Sequence, residues 1–166
     1  TWNAVGGSAP GQRNIVSGNG LAGIVLGFYA NRNTVAGNYV GTDLTGVSRL
    51  PNQGYGIQVG GGANDNVIGG NNGSPGGACS GACNLVSGNA SVGIAVEDDF
   101  TAYNVISGNY VGTDVSGMFA IPNRDSGVYI FDDAHHNTIG GDAAAERNVI
   151  SGNDRMGISI GGYGSN

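Results

Sequence analysis

Short apolar runs alternate with polar and glycine-rich breaks along the whole chain, and the runs fall into three kinds. The first starts at an asparagine with an apolar residue two places on: Asn3-Ala-Val5, Asn33-Thr-Val35, Asn66-Val-Ile68, Asn104-Val-Ile106 and Asn137-Thr-Ile139. The second starts the same way further along: Asn14-Ile-Val16, Asn38-Tyr-Val40, Asn84-Leu-Val86, Asn109-Tyr-Val111 and Asn148-Val-Ile150. The third starts at glycine: Gly23-Ile-Val-Leu26, Gly56-Ile-Gln-Val59, Gly93-Ile-Ala-Val96, Gly127-Val-Tyr-Ile130 and Gly157-Ile-Ser-Ile160. Such short runs predict strands, and no segment carries the 3.6-residue period of an amphipathic helix. Each kind occurs five times, always in the same order.

A triplet of strands repeated in this way is the pattern of a chain wound into a three-sided coil, with one parallel sheet on each side. The predicted fold is all-β: a parallel β-helix of about five turns with three parallel sheets, forming one domain over residues 1–166. The interval from each third-strand glycine to the next first-strand asparagine is 9 to 11 residues, so that corner is nearly constant in length. Insertions fall elsewhere and alternate. Turns one, three and five carry them between the first and second strands, at 6–13, 69–83 and 140–147. Turns two and four carry them between the second and third, at 41–55 and 112–126, each with Gly-Thr-Asp and Pro-Asn. The near-identical segments from Asn33 to Asp43 and from Asn104 to Asp114 lie 71 residues apart, so the sequence repeat is two turns.

The two-residue period of a strand assigns the inward positions. Val5, Val35, Ile68, Ile106 and Ile139 are expected to stack on one sheet, and Val16, Val40, Val86, Val111 and Ile150 on the second. Ile24, Ile57, Ile94, Val128 and Ile158 line the third, beside Leu26, Val59, Val96, Ile130 and Ile160. Corner asparagines are expected to hydrogen-bond from turn to turn, and the glycines after them to allow tight bends.

Composition agrees with strands and turns: 34 glycines, 39% hydrophobic residues and only 11% charged ones. No apolar run is long enough to span a bilayer, and no signal-peptide pattern opens the chain. Twelve acids outnumber six bases, all of them arginines, and no basic stripe is present to hold phosphates, which argues against a nucleic-acid partner. Cys79 and Cys83 stand in a Gly/Ser/Pro/Asn-rich stretch, where a local disulfide closing a surface loop is expected.

In its Asn-x-Ile-Gly-Gly, Arg-Asn-Val-Ile-Ser-Gly-Asn and Asn-Tyr-Val-Gly-Thr-Asp phrases the chain resembles the right-handed parallel β-helix repeat proteins, bacterial extracellular or cell-surface proteins of the pectate-lyase-like group. The resemblance covers essentially the whole chain and implies a right-handed coil outside the cell. The architecture carries polysaccharide lyases and hydrolases, adhesins and structural stalks, so it does not choose among them. The Gly-His-Gly and Arg-x-Lys signatures of the polygalacturonase type are missing.

Three features bear on function. At the near-constant corner, Glu97, Asp98 and Asp99 of turn three come into register with Asp132 and Asp133 of turn four, Asp98 over Asp132 and Asp99 over Asp133. Carboxylates crowded in this way suit a calcium site, or a hydrolase or lyase site at Asp98, Asp99, Asp132 and Asp133. Along the outward side of the second sheet, Ile15, Tyr39, Leu85, Tyr110 and Val149 form an apolar row. The insertions fold back over this row, or it is a contact face for a second copy or for a glycan stacking on the two tyrosines. Finally, Thr1-Trp-Asn3 enters directly on a first strand, and Asn166 stands where a sixth would begin. The expectation is a segment of a longer solenoid, or copies stacked end to end. The resulting reading is a structural or adhesive surface module that self-associates or contacts a surface polysaccharide, with a polysaccharide-active enzyme or carbohydrate-binding module as the alternative.

Overall fold

A computed structural model describes residues 1–162 and shows three parallel sheets of five strands each. Strands β1 (Ala4–Gly6), β4 (Thr34–Ala36), β7 (Val67–Gly69), β10 (Val105–Ser107) and β13 (Thr138–Ile139) form the first sheet. The second sheet contains β2 (Ile15–Val16), β5 (Tyr39–Val40), β8 (Leu85–Val86), β11 (Tyr110–Val111) and β14 (Val149–Ile150). The third contains β3 (Ile24–Leu26), β6 (Ile57–Val59), β9 (Ile94–Val96), β12 (Val128–Ile130) and β15 (Ile158–Ile160). The chain is a parallel β-helix of about five turns. Residues that would form a sixth first strand at Asn166 lie outside the described residues.

Every inward residue pairs with its counterpart one turn away, as in Val35 with Ile68, Val40 with Val86 and Ile57 with Ile94. These rows form one continuous core in which the central turns are fully buried. β-branched side chains suit it because equal shapes recur at every strand spacing, about 4.8 Å.

Three asparagine ladders, buried in the central turns, join the turns. One runs through Asn3, Asn33, Asn66, Asn104 and Asn137, each Nδ2 donating to the next Oδ1 at 2.8 to 3.0 Å. A second runs through Asn14, Asn38, Asn84, Asn109 and Asn148. The third joins Asn19, Asn52, Asn89, Asn123 and Asn153. Its members come from two different phrases, Ser-Gly-Asn in turns one, three and five and Pro-Asn in turns two and four. The alternating insertions therefore reach the same corner by different routes. Among the described residues no buried side-chain nitrogen or oxygen lacks a hydrogen-bond partner.

The outward side of the second sheet is covered. Tyr39, Leu85 and Tyr110 are only 4%, 0% and 3% exposed, and they pack with Cys79 and Cys83 in a second, smaller core. Three insertions cooperate in the cover: Val115 N–H donates to Gly46 O at 2.9 Å, Cys79 N–H donates to Val115 O at 2.8 Å, and the Tyr110 hydroxyl donates to Gly77 O. The Arg13 guanidinium lies 4.2 Å over the Tyr39 ring. A glycan therefore has no access to Tyr39 or Tyr110, and an open contact face over Ile15, Tyr39, Leu85, Tyr110 and Val149 is ruled out at its centre. The reason is packing: Tyr39, Leu85 and Tyr110 leave water for the loops, while Ile15 in the end turn stays 40% exposed. Cys79 and Cys83 form a disulfide with Cα atoms 5.4 Å apart, and it lies inside this core rather than on a surface loop.

The paired Gly-Thr-Asp phrases shape the covering loops. The Thr45 hydroxyl and the Ser48 and Val47 amides donate to the Asp43 carboxylate and hold its pKa below the usual carboxylate range, against a smaller effect of burial. For Asp114 burial pushes upward, but the Ser116 hydroxyl and the Phe119 and Met118 amides outweigh it, so this pKa is also lowered.

Candidate functional site

Unlike the second sheet, the third has no loop cover over its outward face among the described residues, and it carries aromatic and polar side chains there. The strand register puts Val25, Gln58, Ala95, Tyr129 and Ser159 in one outward row. One position past each strand stand Gly27, Gly60, Glu97, Phe131 and Gly161, so glycines flank the only two large side chains there. The corner leading into the sheet supplies Tyr55, Ser91 and Asp125, residues that precede the third-strand glycines in turns two, three and four.

Together these residues shape a groove. A cavity of about 420 Å³ lies between Tyr55, Ser91, Asp125, Tyr129, Phe131 and Asp132. A second, of about 620 Å³, continues from Tyr55 and Ser91 over Gln58 and Val25. The Tyr129 and Phe131 rings stack with centroids 4.5 Å apart. The groove thus has aromatic walls and carboxylates along one rim, the mixture of apolar body and few polar groups that small ligands and sugars require.

Glu97 sits at its edge and is 9% exposed. The Gln58 amide donates to Glu97 Oε1, and the Tyr55 hydroxyl lies beside the same carboxyl. Burial pushes the Glu97 pKa up, with help from the charges of Asp98 and Asp132, while the Gln58 amide and the Tyr55 hydroxyl pull the other way without cancelling it. Burial likewise raises the Tyr55 hydroxyl, next to Glu97, Asp132 and Asp125. A raised carboxyl contributes stability below its unfolded pKa and loses it as pH rises through the folded value. Replacing Glu97 by Gln, which keeps the shape and an acceptor for Gln58, is expected to stabilise the fold at neutral pH and to make no difference well below the carboxylate range. Urea denaturation at both pH values checks this, and equal or lower stability of the variant at neutral pH would count against it.

The remaining acids are dispersed. Asp98 is exposed, and its Oδ2 accepts the Gly61 N–H at 2.8 Å. Asp98 and Asp132 correspond, as the β9–β12 register continues. Asp99 does not lie over Asp133. The pairing offset is 34 at Val96 and Ile130 but 33 at Ala102 and His135, so turn three has one extra residue in this corner. The left-handed positions fall at Asp98 and Phe100 in one turn and at Asp132 and Asp133 in the next, which leaves Asp99 as the extra residue. Among the described residues no three His, Cys, Asp or Glu side chains are placed to hold a metal ion together, calcium included. His135 and His136 are exposed, with His136 stacked 5.2 Å from the Tyr103 ring.

The acidic corner expected from the sequence is therefore present, but its centre is displaced. Asp132 lines the groove with Tyr55, Asp125, Tyr129 and Phe131, and Glu97 lies beneath its rim against Gln58 and Tyr55, whereas Asp99 and Asp133 do not line it. The outward row of the third strand carried the signal for Gln58 and Tyr129, by the same alternation that assigned the inward rows. Compared with protein-family models, with curated proteins and with solved structures, the chain matches none.

Proposed function

We propose that this chain is an extracellular adhesive or structural β-helix module that binds an extended polysaccharide along the outward face of its third sheet. The observation that carries this reading is the continuous groove over β6, β9 and β12, walled by Tyr55, Tyr129 and Phe131 and rimmed by Asp125 and Asp132. Stacked rings offer flat faces to sugar rings, and carboxylates accept from sugar hydroxyls. The disulfide supports a location outside the cell, and the repeat phrases support kinship with the pectate-lyase-like β-helix group. Titration with a panel of soluble polysaccharides tests the reading. At least one is expected to bind, and Tyr129→Ala should weaken that binding about tenfold. Failure of every polysaccharide to bind would sink the proposal, while release of new reducing ends would place a hydrolase or lyase at Glu97 and Asp132.

A second reading, stacking of successive coils end to end, rests on the ladders. All three donate in one direction, so one end turn has Nδ2 groups aimed outward and the other has Oδ1 acceptors. A further coil of the same kind, from any source, would continue all three ladders in register. Electron microscopy at rising concentration is expected to show filaments of uniform width, and single particles at every concentration would remove this reading.

A further inference from the structure

Among the described residues, eleven non-glycine residues have φ in the left-handed region; ten lie at the corner that leads from each third strand to the next first strand, and Trp2 holds the equivalent place just before β1. At every other bend a positive φ falls on glycine. A left-handed conformation costs an L-residue about 1 kcal/mol or more, and bulky side chains rarely adopt it. Turn two shows the unstrained solution, with Gly61 and Gly62 where turn one has Phe28 and Tyr29. Packing does not explain the choice of rings, because Phe28 is 96% exposed, Trp2 77%, Tyr29 70%, Phe100 68% and Tyr103 58%. Strained backbone that holds large rings out in water is the mark of a surface kept for contact.

The edge itself shows what it takes. The Arg32 guanidinium lies 5.6 Å over the Trp2 ring and 3.7 Å from the Asp65 carboxylate. In the same corner Phe28 and Asp98 line one cavity, Phe100 and Tyr103 follow Asp98 and Asp99 along the chain, Asp133 stands in the next turn, and Arg32 is the only arginine. Four of the twelve carboxylates, Asp65, Asp98, Asp99 and Asp133, stand here outside the groove against that one arginine. Rings beside carboxylates suit guanidinium groups, which stack on a ring face and pair with a carboxylate at once; a lysine ammonium offers only a point charge. We propose that this edge docks an extended, arginine-containing segment of another polypeptide, each guanidinium taking the place that Arg32 takes between Trp2 and Asp65. This surface is separate from the groove over the third sheet and does not depend on a glycan there.

Trp2 is the chain's single tryptophan and lies on the edge, so its fluorescence reports occupancy. A nona-arginine peptide is expected to shift Trp2 emission at physiological salt and to bind about tenfold more tightly than nona-lysine of equal charge. The double variant Phe28→Gly, Tyr29→Gly copies turn two. It should lose about tenfold in affinity while its melting temperature stays level or rises, because glycine accepts the bend. If that variant fails to fold, Phe28→Asn with Tyr29→Asn serves instead, since asparagine tolerates the left-handed region. The proposal is overturned if nona-arginine does not bind, if both peptides bind equally, if the folded variant binds like the original chain, or if a neutral polysaccharide shifts Trp2 and nona-arginine does not.

Discussion

Replacing Asn84 by alanine is expected to unfold most of the coil, with a loss of at least about 4 kcal/mol. Asn84 is fully buried, and its side chain makes four hydrogen bonds. Its Nδ2 donates to Val35 O at 2.8 Å and to Asn109 Oδ1 at 2.9 Å, while its Oδ1 accepts from the Asn38 amide and Nδ2 at 3.0 and 3.1 Å. Alanine removes all four bonds from the dry interior; Asn38 Nδ2 keeps Val5 O and Ala36 O, but the Asn38 amide and Asn109 Oδ1 lose their partner, and each unsatisfied group costs about 1 to 3 kcal/mol. A domain has only about 5 to 15 kcal/mol of net stability, so this one change consumes much of it. Asn84→Asp separates hydrogen bonding from packing. It keeps the volume but cannot donate, and it sets a carboxylate against Asn109 Oδ1, so it should be about as damaging at neutral pH. Asn3, exposed in the first turn, is the control and should cost about 1 kcal/mol when changed to alanine. Denaturant midpoints read all three variants, and an Asn84→Ala loss no larger than that of Asn3→Ala would show that the ladders do not bind the turns together.

Gly93→Ala should be nearly as severe, at about 3 kcal/mol or more, for a purely steric reason. A Cβ on Gly93 would stand 2.7 Å from Gly127 O, 2.7 Å from Val111 Cγ1 and 2.8 Å from Asn123 Nδ2. These are the carbonyl that accepts from Ile94 N–H, an inward core methyl and a ladder amide, and none can yield without breaking its own contacts. Gly23, Gly56 and Gly127 meet equivalent neighbours, so the third-strand glycine is the point where the second and third sheets touch. Gly20→Ala is the comparison, since nothing lies within 4 Å of its added carbon. Thermal unfolding should leave Gly20→Ala unchanged or slightly higher and lower Gly93→Ala by many degrees. Equal melting temperatures would mean that the corner can open, contrary to the packing described.

The two variants probe the two means by which a coil of short strands, with no α-helix among the described residues, holds its turns in register. The ladders supply direction and polar satisfaction along the axis, and the glycine row allows the corner to close until the core rows touch. Both leave the outward faces free to differ. One is sealed by loops and a disulfide, one is open as a groove, and one corner is lined with strained rings.

Periodicity by itself determined the number of turns, the three sheets and each inward residue, because a strand alternates faces strictly and a stacked coil repeats every choice in the next turn. It also marked the asparagine corners in two of the three ladders. The third ladder needed the structure, since Asn52 and Asn123 follow proline while Asn19, Asn89 and Asn153 follow Ser-Gly, and only the fold brings the two phrases to one corner. The outward faces were beyond the reach of pattern for the same physical reason. Whether Tyr39 and Tyr110 meet water depends on how insertions up to two turns apart pack across them, and that is decided by contacts between loops. The acidic corner was visible as composition, but one extra residue in turn three moved Asp99 out of register, and the burial that singles out Glu97 arises only when Gln58 and Tyr55 of the turn below close against it. Local alternation specifies strands, whereas loop packing and single-residue offsets specify the site, because those depend on neighbours distant in the chain.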